Sequence, residues 1–174
     1  VLKGAQATET ALKSARGPKI LHVATHGFFL DDTPSTIGPG QRGIRIVGKA
    51  SRPSSTQLSD PLLRAGLVFS GGNRLRGDGK NDGIATAREI AGLDLWGTQL
   101  VVLSACETGV GETKQGQGVF GLRRALSLAG ARSQVISLWQ VSDRGTVALM
   151  KAFYDFLKRD LPPSEALQRA QLQL

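Results

Sequence analysis

Apolar positions along the chain switch between short continuous runs and a spacing of three and four. Ala7, Ala11, Leu12 and Ala15 share one side of a helix predicted over residues 5–16, which Gly17-Pro18 stops. Residues 19–25 then read as a short buried strand closed by His26-Gly27. Residues 31–60 carry Gly, Pro, Ser and charge without periodicity and read as a long surface loop, expected to be mobile and to rim any site near His26. A second apolar strand is predicted over 65–70, a Gly- and charge-rich turn over 73–83, and a short helix over 86–91. Residues 99–105 form the clearest strand and run into Cys106. The clearest helix is 118–129. Val119, Leu122, Ala125, Leu126 and Ala129 lie on one face, and Gly130 stands where a helix-terminating glycine belongs.

A strand over 133–139 follows. Ser142 or Asp143 can cap the next helix, whose inward face reads Val147, Met150, Tyr154 and Leu157. Pro162-Pro163-Ser164 opens a last helix with Leu167, Ala170 and Leu174 inward. Strands separated by helices imply an α/β fold with a mostly parallel sheet covered on both faces. No internal repeat is visible.

Composition narrows the classes. The chain has 174 residues, 40% hydrophobic and 21% charged, which suits one globular domain with its own core and excludes a disordered tail. No apolar run is long enough to span a bilayer. The absence of an initiator Met reads as a piece of a longer protein. A single cysteine excludes an internal disulfide, and one cysteine with two histidines argues against structural zinc. The net charge is +8, and residues 41–80 hold eight bases (Arg42, Arg45, Lys49, Arg52, Arg64, Arg74, Arg76, Lys80) against Asp60 and Asp78. Such a segment can hold phosphate and raises a nucleic-acid partner. Its lack of interleaved aromatics favours the plainer reading, a solvated loop.

In open α/β sheets ligands collect at the carboxyl ends of strands. His26 and Cys106 follow two such strands, each at or near glycine. If those strands are parallel neighbours their ends lie about 5 Å apart. Imidazole beside thiol is a base beside a nucleophile, the chemistry of acyl transfer. Taken singly, Cys106 also fits a small buried side chain and His26 a turn residue. His22 falls mid-strand and reads as packing. A His22/His26 metal pair lacks a third ligand nearby. Chain order then separates two nucleophile folds. In α/β-hydrolases the histidine follows the nucleophile, whereas here no histidine follows Cys106. Histidine before cysteine is the caspase-like order.

Ala24-Thr25-His26-Gly27 followed by Leu103-Ser104-Ala105-Cys106-Glu107-Thr108-Gly109 resembles the CHAT family, caspase-like domains often fused to tetratricopeptide repeats. The run from Gly116 to Ala125, Ser137-Leu138-Trp139-Gln140-Val141-Ser142-Asp143, Phe153-Tyr154-Asp155-Phe156-Leu157 and Glu165-Ala166-Leu167-Gln168-Arg169-Ala170 extend the similarity. The 31–60 loop departs from it. The resemblance implies a three-layer α/β/α sandwich and a cysteine endopeptidase working through a thioester acyl-enzyme, with no metal or organic cofactor. Cys106 would be the nucleophile and His26 the base. The N–H groups of Gly27 and Cys106 would form the oxyanion hole. It further implies a bacterial, cytoplasmic setting and control by fused or partner tetratricopeptide repeats. The alternative is a catalytically silent interaction module. A caspase-like pocket would take the side chain before the scissile bond (P1) against Trp139 and Asp143, with Glu107 as a further acid. Carboxylates there imply P1 Arg or Lys.

Overall fold

The computed structural model describes residues 1–29, 60–72, 81–107, 117–137 and 143–174. Of the segment expected to be a loop, 31–60, only Asp60 falls among them. Of the basic 41–80 stretch, only residues 60–72 do. The fold is α/β. It has strands β1 (Ile20–Phe29), β2 (Ala65–Val68), β3 (Ile84–Thr86), β4 (Leu100–Glu107) and β5 (Gln134–Ile136). The helices are α1 (Glu9–Lys13), α2 (Ala87–Ala91), α3 (Gln117–Leu128), α4 (Asp143–Leu157) and α5 (Pro163–Leu172). The chain divides into two compact units, Val1–Leu138 and Trp139–Leu174.

The strands of the first unit form one sheet in the order β3-β2-β1-β4-β5. It is mixed, which corrects the mostly parallel sheet expected. β1 pairs parallel with β4, and β4 with β5. β2 pairs antiparallel with both β1 and β3. The difference lies in the connections. α3 carries the chain back between β4 and β5, as parallel neighbours require. β2 and β3 instead pair antiparallel, an arrangement that does not require the crossover connection of parallel neighbours. Gly83, just before β3, has φ +82°, and an added Cβ there would run into the Gly72 backbone.

β4 holds the centre of this unit. Leu100, Val101, Val102 and Leu103 are all buried, as expected of a strand covered on both faces. Full burial of each such side chain contributes about 1.5–3 kcal/mol. β1 alternates instead. Val23 and Gly27 are buried, while Ile20, His22, Ala24 and His26 are exposed. α2 and α3 cover the side holding Val23, Leu67, Val101 and Leu103 with Ala87, Ile90, Leu122, Ala125, Leu126 and Ala129. α3 ends as predicted. Gly130 has φ +102°, its N–H donates to the Ser127 carbonyl (3.2 Å), and that of Ala131 donates to the Leu126 carbonyl (3.0 Å). This is the paired closure of a glycine-terminated helix.

α1 is shorter than the predicted 5–16. Thr8 caps it by accepting from the Ala11 N–H (3.1 Å), and a separate 3₁₀ turn, Gly4–Gln6, precedes it. A threonine hydroxyl satisfies an open helix end better than a longer alanine run extends it. In the second unit, α4 turns a different face from the predicted one. Phe153 is fully buried, and Val147 is 54% exposed. In α5, Ala166 and Ala170 are buried, whereas Leu174, expected inward, lies beyond the end of the helix and is exposed. The small alanines permit close approach of α4 and α5, which pack on each other.

A charge network ties α1 to α2. Glu9 is 2% exposed, accepts from the Gly83 N–H (2.9 Å) and pairs with Lys13. Lys13 also donates to Glu89 (2.9 Å). Glu89 in turn accepts from the Thr86 N–H (2.9 Å), while Thr86 Oγ1 accepts from the Glu89 N–H (3.3 Å), a reciprocal cap on a five-residue helix. Burial works to raise the Glu89 pKa. The hydrogen bonds from Lys13 and Thr86 outweigh it and hold the carboxyl below its ordinary 4.5. Its contribution to stability is therefore present above pH 4.5 and is lost as pH falls through the lower native value. Urea melts should show Thr86→Ala less stable by about 1 kcal/mol. In Glu89→Gln the acid-side decline of stability should flatten. An unchanged acid limb in that variant would remove Glu89 from the network.

Candidate active site

His26 and Cys106 are directly paired positions in the parallel β1–β4 ladder. The ladder runs from Ile20↔Leu100 to Gly27↔Glu107 without a bulge. The two residues do not follow their strands, as the sequence pattern implied, but lie within them. β1 continues through Gly27, Phe28 and Phe29, and β4 reaches Glu107. β1 is extended by β2, which returns antiparallel along its end and pairs Val68 with His26 and Leu67 with Gly27. Phe28-Phe29 is a strand-favouring pair and was the available signal for this extension.

His26 thus sits on a strand with a neighbour on each side. β1 is the middle strand of the sheet, and Thr25 Oγ1 donates to the Val68 carbonyl beside it. Two residues beyond His26, on the same face, the Phe28 ring lies over Gly66. A Cβ at Gly66 would come within 2.6 Å of that ring and of the Ala85 carbonyl oxygen. Glycine at 66 therefore allows the aromatic ring to lie flat on β2. The His26 side chain is exposed, and Gly27 is buried. For Cys106 and Glu107 the described structure is that of the backbone in β4.

His22 occupies the same face of β1 two repeats lower, beyond Ala24. Its Nε2 lies 3.3 Å from Ser104 Oγ. The ladder pairs His22 with Val102 and Ala24 with Ser104, so this hydrogen bond crosses the strands diagonally. The hydrogen-bonded part of the reading of His22 agrees with this contact, whereas its exposure corrects the reading of it as packed, and Ser104 as its partner was not legible from spacing. Though its side chain is exposed to solvent, partial desolvation beside the sheet pushes the His22 pKa below its ordinary value of 6.5.

Of the other candidates, Glu107 is the ladder partner of Gly27, next to His26. Trp139 lies outside the described residues. Asp143 is the first residue of α4, in the second unit, and its side chain is outside them too. Among the described residues no cluster of His, Cys, Asp and Glu has the arrangement of a metal site. None of their helices is long and apolar enough to cross a membrane.

The model of the CHAT domain matches residues 1–174. The chain belongs to the CHAT domain family. This family is related to the caspase-like peptidases, in agreement with the similarity of the two motifs that the β1–β4 ladder aligns. No curated protein sequence matches this CHAT domain.

The neutral form of His22 is the one the CHAT domain favours when folded. Its pKa is lowered, so the stability tied to it is present above pH 6.5 and falls as pH drops through the native value. Loss of the hydrogen bond in His22→Ala should lower unfolding stability by about 0.5–1.5 kcal/mol. The variant should also lose the part of the pH dependence that begins near 6.5, measured by urea melts across that range. A stability profile parallel to that of the unaltered chain would show that the contact contributes nothing.

Proposed function

We propose that this CHAT domain is a cysteine endopeptidase whose nucleophile is Cys106 and whose general base is His26. The observation that carries the reading is the pairing of these two positions in one parallel ladder. Paired positions on neighbouring strands lie about 4.8 Å apart along the hydrogen-bonding direction and share a sheet face. An imidazole and a thiol mounted this way are within reach of each other without movement of the backbone. The site belongs to an α/β/α sandwich of three layers.

In the proposed reaction the Cys106 proton passes to His26 as sulfur attacks the carbonyl carbon of the scissile bond. The N–H group of Cys106 stabilises the oxyanion, while that of Gly27, the second donor expected, belongs to a strand position paired on both sides. His26 then gives its proton to the departing amine, leaving a thioester. Water, deprotonated by His26, attacks the thioester and frees the carboxyl product and the thiol. Every proton is accounted for between Cys106, His26, water and the two products. No metal or organic cofactor enters. Tetratricopeptide repeats, fused or as a partner protein, control the activity in the cytoplasm.

Cys106 is the only cysteine in the sequence, so alkylation by iodoacetamide reads it alone. A free thiol is only a few per cent thiolate at pH 7, whereas one paired with imidazole is largely ionised. His26→Ala should therefore slow alkylation at pH 7 by roughly tenfold or more. Cys106→Ala and His26→Ala should each reduce peptide cleavage by roughly a thousandfold, with the double variant no worse than either, because the two act as a unit. Alkylation at the same rate in His26→Ala would overturn the dyad and favour a silent interaction module.

Specificity follows from charge. Asp143, with Trp139 as an apolar wall, pairs with a basic P1 side chain, and Glu107 is the second acid available. Fluorogenic peptides differing only at P1 should be cut fastest after Arg or Lys. Asp143→Asn should lower that preference severalfold, and Trp139→Ala should raise KM for every P1. Preference for P1 Asp would contradict the assignment. Retention of the Arg/Lys preference in Asp143→Asn would transfer the role to Glu107.

A further inference from the structure

We propose that the outward side of α3, with Trp96 beside its C-terminal end, is a docking surface for an acidic, apolar-anchored segment of a partner protein. The surface lies wholly in the first unit and is independent of the peptidase reading.

α3 has its core side in Leu122, Ala125, Leu126 and Ala129. On the other side Phe120, Arg124 and Leu128 recur every four residues and line one stripe, about 12 Å long at 1.5 Å per residue. Solvent should select polar side chains there, yet Phe120 is 65% exposed and Leu128 60%. Trp96 is 81% exposed, and its backbone lies against Gly130, two residues beyond Leu128. Its backbone is well tied. The Leu95 N–H donates to the Ala129 carbonyl (3.0 Å) and the Thr98 N–H to the Leu95 carbonyl (2.9 Å). A Cβ at Gly130 would lie 3.2 Å from the Trp96 nitrogen. The indole is thus held in water by a hydrogen-bonded turn against the helix end. The side chain is large and exposed and rises from a turn hydrogen-bonded on both sides of it, which limits the entropy lost on binding.

Single exposed apolar residues need no explanation, but three on one helix side and its adjoining turn do. Their companions indicate what covers them. Arg123 and Arg124 are exposed on α3, and exposed Arg132 joins the Trp96 turn through its N–H to the Thr98 carbonyl (3.0 Å). Against these three arginines the turn supplies one acid, Asp94. Tryptophan and arginine dominate the energetics of protein interfaces, and an excess of guanidinium selects carboxylates. A second copy of the chain would set arginines against arginines. Nucleic acid would leave Leu128 without a stacking role.

The test uses the full chain and two labelled helical peptides of equal length. Both carry Leu and Phe at the same positions, and their remaining positions are Glu-rich in one and Lys-rich in the other. Fluorescence anisotropy should show the Glu-rich peptide binding roughly tenfold or more tightly than the Lys-rich one, with affinity falling as salt rises. Trp96→Ala and Phe120→Ala should each weaken it by roughly tenfold. Arg124→Glu should weaken the Glu-rich peptide and strengthen the other. Thermal melts of the Trp96→Ala chain should match those of the unaltered chain, since the indole is exposed, and Trp96→Lys provides a second variant if they do not. Equal binding of the two peptides, no binding of either, or binding insensitive to Trp96 and Phe120 would overturn the proposal. Trp96-dependent self-association in sedimentation would reassign the face to a second copy. Tighter, Trp96-dependent binding of oligouridine would reassign it to nucleic acid. Either result also overturns it.

Discussion

Eight consecutive pairs join β1 to β4 in parallel, and the position of nearly every other described part of the first unit depends on that register. A shift of one residue would turn Val23 away from the side it shares with Val101 and Leu103 and put His22 among them. Because β4 is apolar over Leu100–Leu103, it alone would accept either face toward the helices. β1, with His22, Ala24 and His26 interleaved among Leu21, Val23 and Thr25, accepts only one. The polar residues of β1 therefore act as a register device as well as a candidate site. The same alternation that keeps imidazoles out of the core sets His26 opposite Cys106.

Much of this arrangement was legible in the amino-acid pattern because it depends on local signals. β4 is a continuous apolar run. The buried side of α3 and its glycine stop were named residue by residue, and the structure follows them at Leu122, Ala125, Leu126, Ala129 and Gly130. What failed depends on partners distant in sequence. The end of β1 is set by β2, about forty residues away, so His26 was read as a strand terminus when it is a strand interior. The mixed sheet has the same origin, because nothing local in residues 65–68 states their direction. Burial in α4 was assigned to Val147 when the buried residue is Phe153. The stripe of Val147, Met150, Tyr154 and Leu157 and a face centred nearer Phe153 differ by a modest rotation, and packing rather than period chooses between them.

The Glu9–Lys13–Glu89 network was not legible for the same reason. Glu9 belongs to a short helix near the start of the chain, and its partner Gly83 lies 74 positions on. A carboxylate 2% exposed is costly to bury unless charge and N–H groups meet it. Here an ammonium and a backbone donor do so. The result is to hold α1, a helix of only five residues, against the β3–α2 corner. Neither α1 nor α2 is long enough to be stable by propensity, since helix nucleation favours longer segments. Their caps and this charge chain supply what length does not.

The two faces of β1 therefore answer to different constraints. Toward α2 and α3 the demand is volume, and Leu, Val and Ala meet it. On the opposite face the side chains are His22, Ala24, His26 and Phe28, and the contacts are specific. His22 reaches Ser104, and Phe28 covers Gly66. A sheet chosen for stability alone would place β-branched apolar residues on this side as well. Two histidines instead lower the apolar area available there, and partial desolvation makes one of them harder to protonate. Such a face is tolerated when the remaining core is sufficient, and the doubly buried β4 provides that core. The strand best able to carry the cost of a chemically specialised face is the one with the longest pairing to the most deeply buried strand. In this fold that strand is β1, and the face it leaves open is the one on which His26 stands.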